Sequence, residues 1–404
     1  MSSINGVPRR PSENPRRYRS PSEYDIPFET HLIPCRDGVT IHSWLLYHPS
    51  GANQVDAQVQ LPTILFFHGN AGSIGLRLPN AHQMHHYLHA NVWLIEYRGY
   101  GDSDGVPSEA GLKLDAEAVW DYIIANNENL RHVDPRKVFV FGRSLGGAVA
   151  LHLARYAESR HYDSRGTLNP PPPLPAGILV ENTFTCISDM VDHLLPIVAP
   201  LKSLVLRISW DSFSIVPKLT VPTLFLAGAK DTLVPHEHML RLYRERKAGK
   251  VHSVVRMHIV KDGTHNETWM QGGKEYWMAI QSFLREALFA HSAAFPSAFA
   301  AERPPSSNNS INMPVQRKIT SQKTSSTLPG MSESSISTST TMCQTESKNT
   351  EIGMGGEDAA EMISSVGNFM GMAREALKSS STVKSGGVAI ADSSSGGGAY
   401  KKRD

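Results

Sequence analysis

Residues 137–147 read KVFVFGRSLGG, and no other stretch of the chain limits its fold as tightly. The apolar run Val138 to Phe141 gives way at once to Gly142-Arg143-Ser144-Leu145-Gly146, then to the small residues Gly147, Ala148 and Ala150. A strand that turns abruptly into a helix through G-x-S-x-G is the setting of a nucleophile elbow. The turn strains the serine backbone, and the flanking glycines let strand and helix approach closely. The Ser144 hydroxyl is then pushed out at the carboxyl edge of a sheet. Taken alone, the motif also fits an ordinary strand–helix turn with a capping serine, so the rest of the chain must decide.

The surrounding rhythm favours the elbow. Phe28–Ile33 and Val39–Tyr47 flank Arg36-Asp37-Gly38, a hairpin signal. Continuous apolar runs follow at Thr63–Phe67, Val92–Ile95, Lys137–Phe141, Ala176–Val180, Val221–Ala227 and Val254–Val260. Helical patterns lie between them, near 75–90, 108–125 (capped by Ser108), 146–157, 236–246 and 274–290. Apolar strands alternating with helices predict an α/β fold: a mostly parallel sheet with helices on both faces.

A serine hydroxyl needs a base, and the base needs an acid to orient it. In a doubly wound sheet these groups sit in loops at strand carboxyl ends. Asp231 follows the Val221–Ala227 run, and His265 follows Val254–Val260 in KDGTHNE. The chain order Ser144, Asp231, His265 is the one that a nucleophile elbow leads to. Asp189, Asp192 and Asp262 are the alternative acids, and His258, inside a strand run, reads as structural. An oxyanion needs two backbone donors. Leu145, next to the nucleophile, is one. The loop His68-Gly69-Asn70-Ala71-Gly72 supplies the other through Asn70 or Ala71, with His68 bracing the loop. Serine at 144, rather than Asp or Cys, means acyl transfer on esters, thioesters or amides.

Composition sets the limits of the folded part. Of 31 aromatic residues, only Phe369 and Tyr400 lie beyond residue 301, so a core there is not expected. The expected organisation is a disordered basic leader at 1–25, one domain at 26–292, and a disordered Ser/Thr-rich tail at 293–404. Within the tail, 358–378 has loosely helical spacing of apolar residues. A net charge of +2 argues against nucleic acid as a partner. Three well-separated cysteines, Cys35, Cys186 and Cys343, form no disulfide framework and fit an intracellular setting. They contain no C-x-x-C pair, and neither a metal nor a cofactor is called for. The N-terminus carries five arginines and no apolar stretch, so a signal peptide is not expected.

The stretches FFHGNAGSIGLR, EYRGYGDSDGVPSEAGLKLDAEAVWDYI, VFVFGRSLGGAVALHLA, ENTFTCISDM, FLAGAKDTLVP and KDGTHNETW together resemble the alpha/beta-hydrolase family. Within it, the chain is most similar to the group around alpha/beta-hydrolase domain-containing protein 13. The resemblance spans about residues 25–290 and implies the alpha/beta-hydrolase fold. It places nucleophile, acid and base on Ser144, Asp231 and His265. It also implies an acylated protein or lipid as substrate, since related members act as acyl-protein thioesterases or lipid esterases. Members of that group usually carry an N-terminal membrane anchor, which this sequence does not show, so only a weak attraction of the Arg-rich leader to an anionic membrane surface is expected. The chain is expected to be a monomer. Residues 182–216, rich in Ile, Leu and Val, form the expected lid, either lining an acyl-chain pocket or simply covering the sheet. Two other readings stand beside the esterase: a non-catalytic interaction protein on this fold, and a small serine peptidase.

Overall fold

The computed structural model describes residues 3–4, 7–49, 61–164, 167–168, 170–194, 208–251 and 253–294. Eight strands form the main sheet: β1 (Phe28–Pro34), β2 (Thr40–Leu46), β3 (Thr63–Phe67), β4 (Asn91–Ile95), β5 (Val138–Arg143), β6 (Gly177–Glu181), β7 (Thr223–Gly228) and β8 (Val255–Val260). Their spatial order is β8-β7-β6-β5-β3-β4-β2-β1. β2 pairs antiparallel with β1 and β4, and the other pairings are parallel. The Asp-Gly hairpin forms as predicted, closed by the Cys35 N–H donating to Val39 O at 2.7 Å.

Among the described residues, the helices of more than one turn are α1 (Leu78–Leu88), α2 (Glu109–Ala125), α3 (Leu145–Asp163), α4 (Ile187–Leu194), α5 (His236–Ala248) and α6 (Gly273–Ala294). Side chains alternate between the faces of a strand. Leu65, Phe67, Trp93, Val140 and Phe225 therefore pack under Leu112, Trp120, Leu151 and Met239 from α2, α3 and α5. Ile64, Phe66, Leu94, Phe139 and Phe141 pack under Leu78, Met84, Tyr276 and Phe283 from α1 and α6. Both faces are covered, which is why these strands read as unbroken apolar runs. Full burial of each large side chain contributes roughly 1.5–3 kcal/mol.

Two expectations about extent change. The helix predicted to fade at 157 continues to Asp163. Glu158 and His161 carry it on although they are polar, because both are buried with partners. The Glu158 carboxylate accepts from the Thr220 hydroxyl at 2.7 Å, and His161 Nδ1 lies 2.7 Å from Pro172 O.

The larger correction concerns part of the leader expected to be disordered over 1–25: several residues between Arg9 and Tyr24 pack onto the domain. Short 3-10 turns form at Pro11–Glu13 and Pro21–Tyr24. Pro11, Asn14 and Pro21 are buried. Arg9 donates to Ser103 O at 3.1 Å, and Arg10 pairs with Asp102 at 3.4 Å. Richness in Arg, Pro and Ser is a misleading guide here, because proline and asparagine bury against the domain rather than against each other. The tail from 295 onward, with its 358–378 segment, and the central lid residues 195–207 lie outside the described residues. The described ends of the expected lid meet, with the Ile187 N–H donating to Ser209 O at 3.0 Å.

Candidate active site

Ser144 stands at the end of β5, where the chain enters α3. Its backbone has φ 55° and ψ −121°, a conformation that a non-glycine residue holds only under constraint. The constraint comes from both sides. Its N–H donates to Glu181 O at 2.9 Å, and the Thr183 hydroxyl donates to its carbonyl at 2.7 Å. The motif's glycines are required by close approach: a Cβ on Gly142 would lie 2.0 Å from Gly146 O, and one on Gly146 would lie 2.0 Å from Phe67 O.

The structure brings Asp231 and His265 together. Asp231 lies just past β7 and His265 just past β8, and His265 Nδ1 is 2.7 Å from Asp231 Oδ2. Both residues are only 7% exposed, so little water competes for this contact. The other carboxylate oxygen accepts the N–H groups of Leu233 (2.9 Å) and Val234 (2.8 Å), which fixes its rotamer. With Nδ1–H held by the carboxylate, Nε2 is left as the basic nitrogen, the tautomer that a general base requires. The alternative acids are engaged elsewhere. Asp262 is solvent-exposed and paired with Lys230 at 2.7 Å. Asp189 holds the Thr185 hydroxyl at 2.6 Å and Arg241 at 3.0 Å. The Asp192 side chain lies outside the described part. His258 sits within β8, as predicted.

The predicted oxyanion loop lies beside Ser144: a Cβ on Gly69 would sit 3.5 Å from Ser144 Cβ. Leu145 opens α3, so its amide belongs to the first turn of a helix, where N–H groups lack intrahelical acceptors. The Tyr100 hydroxyl lies 3.0 Å from both the carbonyl and the side-chain oxygen of Asn70. Burial and the nearby Glu96 carboxylate push the Tyr100 phenol upward, so it stays a donor. The Arg77 guanidinium donates to Ala71 O. His68 braces the loop as expected, with Nδ1 at 2.7 Å from Gly69 O.

Sequence reasoning passed over the residues that hold these parts in register. Asn182, at φ 47° and 1% exposed, follows β6. Its amide nitrogen is 2.9 Å from His265 O and 3.0 Å from the Thr268 hydroxyl, while its oxygen accepts Gly228 N–H at 2.8 Å. One side chain thus ties the ends of β6 and β7 to the histidine loop. Before it, Glu181 pairs with Arg143 and accepts from Tyr276 OH at 2.5 Å, beneath the elbow. The available signal was a polar Glu-Asn-Thr run placed directly after an apolar strand.

Among the described residues no group of three or more His, Cys, Asp or Glu could hold a metal ion, and no helix is long and apolar enough to cross a membrane. An eight-stranded, mostly parallel sheet with an elbow serine and an Asp–His pair at its carboxyl edge defines an α/β-hydrolase architecture. Comparison with known proteins agrees. A family model for the alpha/beta hydrolase fold matches residues 62–182. The chain is 33% identical over 278 residues to alpha/beta hydrolase domain-containing protein WAV2 of Arabidopsis thaliana, covering 66% of this chain and 82% of that protein. It is 34% identical over 268 residues to protein bem46 of Schizosaccharomyces pombe, covering 66% and 80%. The chain belongs to the alpha/beta hydrolase family. Among solved structures, the Pyrococcus furiosus esterase Pf2001 shares the fold, with TM-score 0.50 and 17% identity over 70% of this chain and 97% of that one.

Proposed function

We propose that this chain is a serine hydrolase that cleaves carboxylic esters or thioesters through an acyl-enzyme. The observation that carries the proposal is the buried 2.7 Å contact between His265 Nδ1 and Asp231, in a fold that holds Ser144 at a strained elbow. His265 Nε2 takes the hydroxyl proton as Ser144 Oγ attacks the acyl carbon. The amide of Leu145, with that of Asn70 or Ala71, holds the oxyanion. Collapse breaks the ester or thioester bond, and the alcohol or thiol leaves with the proton from His265. Water then attacks the acyl-enzyme with His265 again as base, which releases the acid and restores Ser144.

The substrate class that best suits this family resemblance is an acylated protein or a lipid. The apolar lid stem gives partial support, since Ile187 and Met190 are buried beside the sheet. The test is hydrolysis of acetyl and octanoyl nitrophenyl esters and of a palmitoyl-thioester peptide. Wild type should favour the longer acyl groups, and Ser144→Ala should reduce turnover to background. Equal rates on acetyl and octanoyl esters would remove the acyl-pocket reading, and full turnover by Ser144→Ala would remove the enzyme mechanism.

A further inference from the structure

Glu96 is a carboxylate with no exposed surface, and the acyl-transfer steps above do not use it. It lies just past β4, at the start of the Gly-rich loop 97–105. Its two oxygens reach the two ends of one loop. Oε2 accepts the N–H of Ile74 at 3.1 Å, and Oε1 is 3.2 Å from Nε2 of His68, which is only 1% exposed. Residues 68 and 74 bracket the segment that carries Asn70 and Ala71. Oε1 makes no hydrogen bond of its own and faces the ring of His68, a residue of the loop.

We propose that Glu96 is a positioning residue that sets the oxyanion loop against Ser144, a role that rests on the acyl-transfer reading above. Four features support it. The loop runs beside Ser144 at Gly69, so a displacement of its ends moves its amides relative to the reacting atoms. Tyr100, from the same Gly-rich loop, holds Asn70 in the middle of the span. The opposite flank is closed by the N-terminal segment: Gly75 is crowded by the Tyr18 carbonyl and the Asn14 amide, and a Cβ there would lie 2.2 and 2.8 Å from them. The loop is therefore held between two walls, and Glu96 is the charged group in one of them. Finally, the chain makes room for the carboxylate: Gly101 has φ +47°, and a Cβ on it would lie 2.0 Å from Glu96 Oε2.

Glu96→Gln keeps the shape but turns an amide nitrogen toward either the Ile74 N–H or the His68 ring, so one end of the loop meets a different group. Gly101→Ala displaces the same carboxylate sterically and leaves its chemistry intact. In the full chain each variant should lower kcat by about 10- to 100-fold with KM within about twofold, as expected for misplaced oxyanion donors. Affinity for a tetrahedral alkylboronic acid should fall in step with kcat. Hydrogen exchange of residues 70–77 should accelerate in both variants; the thermal midpoint should change little in Glu96→Gln and fall in Gly101→Ala, which is strained at φ +47°. A general packing defect would instead lower the thermal midpoint of Glu96→Gln and leave the ratio of boronate affinity to KM unchanged, and that result overturns the proposal. Wild-type kcat and boronate affinity in both variants would overturn it as well. A wild type that neither turns over esters nor binds the boronate would refute the acyl-transfer reading. Loop exchange unchanged in Glu96→Gln and Gly101→Ala would refute the positioning role even then.

Discussion

Replacing Gly146 by alanine tests whether the elbow depends on backbone contact. An added Cβ would stand 2.0 Å from Phe67 O, 2.6 Å from Phe67 C and 2.7 Å from His68 O. All three are backbone atoms of β3 and the oxyanion loop, so no side chain can swing aside. Real Cβ atoms essentially never come closer than 3.0 Å, so the end of β3 and the start of α3 must part by about 1 Å. The displaced carbonyls border the segment that carries Asn70 and Ala71. A misplacement of about 1 Å can cost roughly 100-fold in rate, which is about 2.7 kcal/mol of transition-state stabilisation. Forcing a methyl group into a close-packed interior also costs about 1–3 kcal/mol of stability. At ~2–4 °C per kcal/mol for a domain somewhat smaller than this one, the midpoint should fall by roughly 2–12 °C. Steady-state kinetics on nitrophenyl octanoate and circular-dichroism melting read both effects. A variant with wild-type kcat and an unchanged midpoint would refute the reasoning, because the strand and helix would then not meet as described.

The other predictions rest on separate parts of the site and domain. Asp231→Asn retains an oxygen for the Leu233 and Val234 N–H groups but turns an amide toward His265 Nδ1. Folding should be preserved and kcat should fall by about 10⁴-fold; a loss under tenfold, measured alongside a normal melt, would place the acid elsewhere. Burial, together with the stacked His48 ring, lowers the His85 pKa to about 4, and burial lowers that of His291 to about 4. Both histidines are neutral in the fold and charge more readily when unfolded. Their contribution is thus complete above the ordinary value of 6.5 and is lost progressively as pH falls from there toward 4. The melting midpoint of His85→Phe, which keeps the stacking, should fall less steeply over that interval than that of wild type. An identical slope would refute the assignment.

The candidate site is legible in the sequence because each part leaves a local mark. Gly142 and Gly146 mark the close approach at Ser144, and Asp231 and His265 each directly follow an apolar strand. The supports were less visible because their meaning lies in contacts across many residues. Asn182 looks like any loop asparagine until the fold brings it beside His265 O, 83 positions away. Glu96 looks like the first polar residue after a strand until His68 and Ile74 close around it. The leader misled for a related reason. Composition describes whether a segment can build its own core, and Asn14 and Pro11 instead complete someone else's, against Ser73 and Gly75 just past the oxyanion loop. Similarly, Glu158 and His161 interrupt the apolar pattern of α3 yet extend the helix, because their partners lie in distant loops.

The central claim is that Ser144 is an activated nucleophile. Incubation of the full chain with a fluorophosphonate probe, followed by intact mass and peptide mapping, tests it most directly. The account predicts one covalent adduct per chain, located on Ser144, absent in Ser144→Ala and strongly slowed in Asp231→Asn. A correctly folded wild type that remains unlabelled, or an adduct on any other residue, would contradict it.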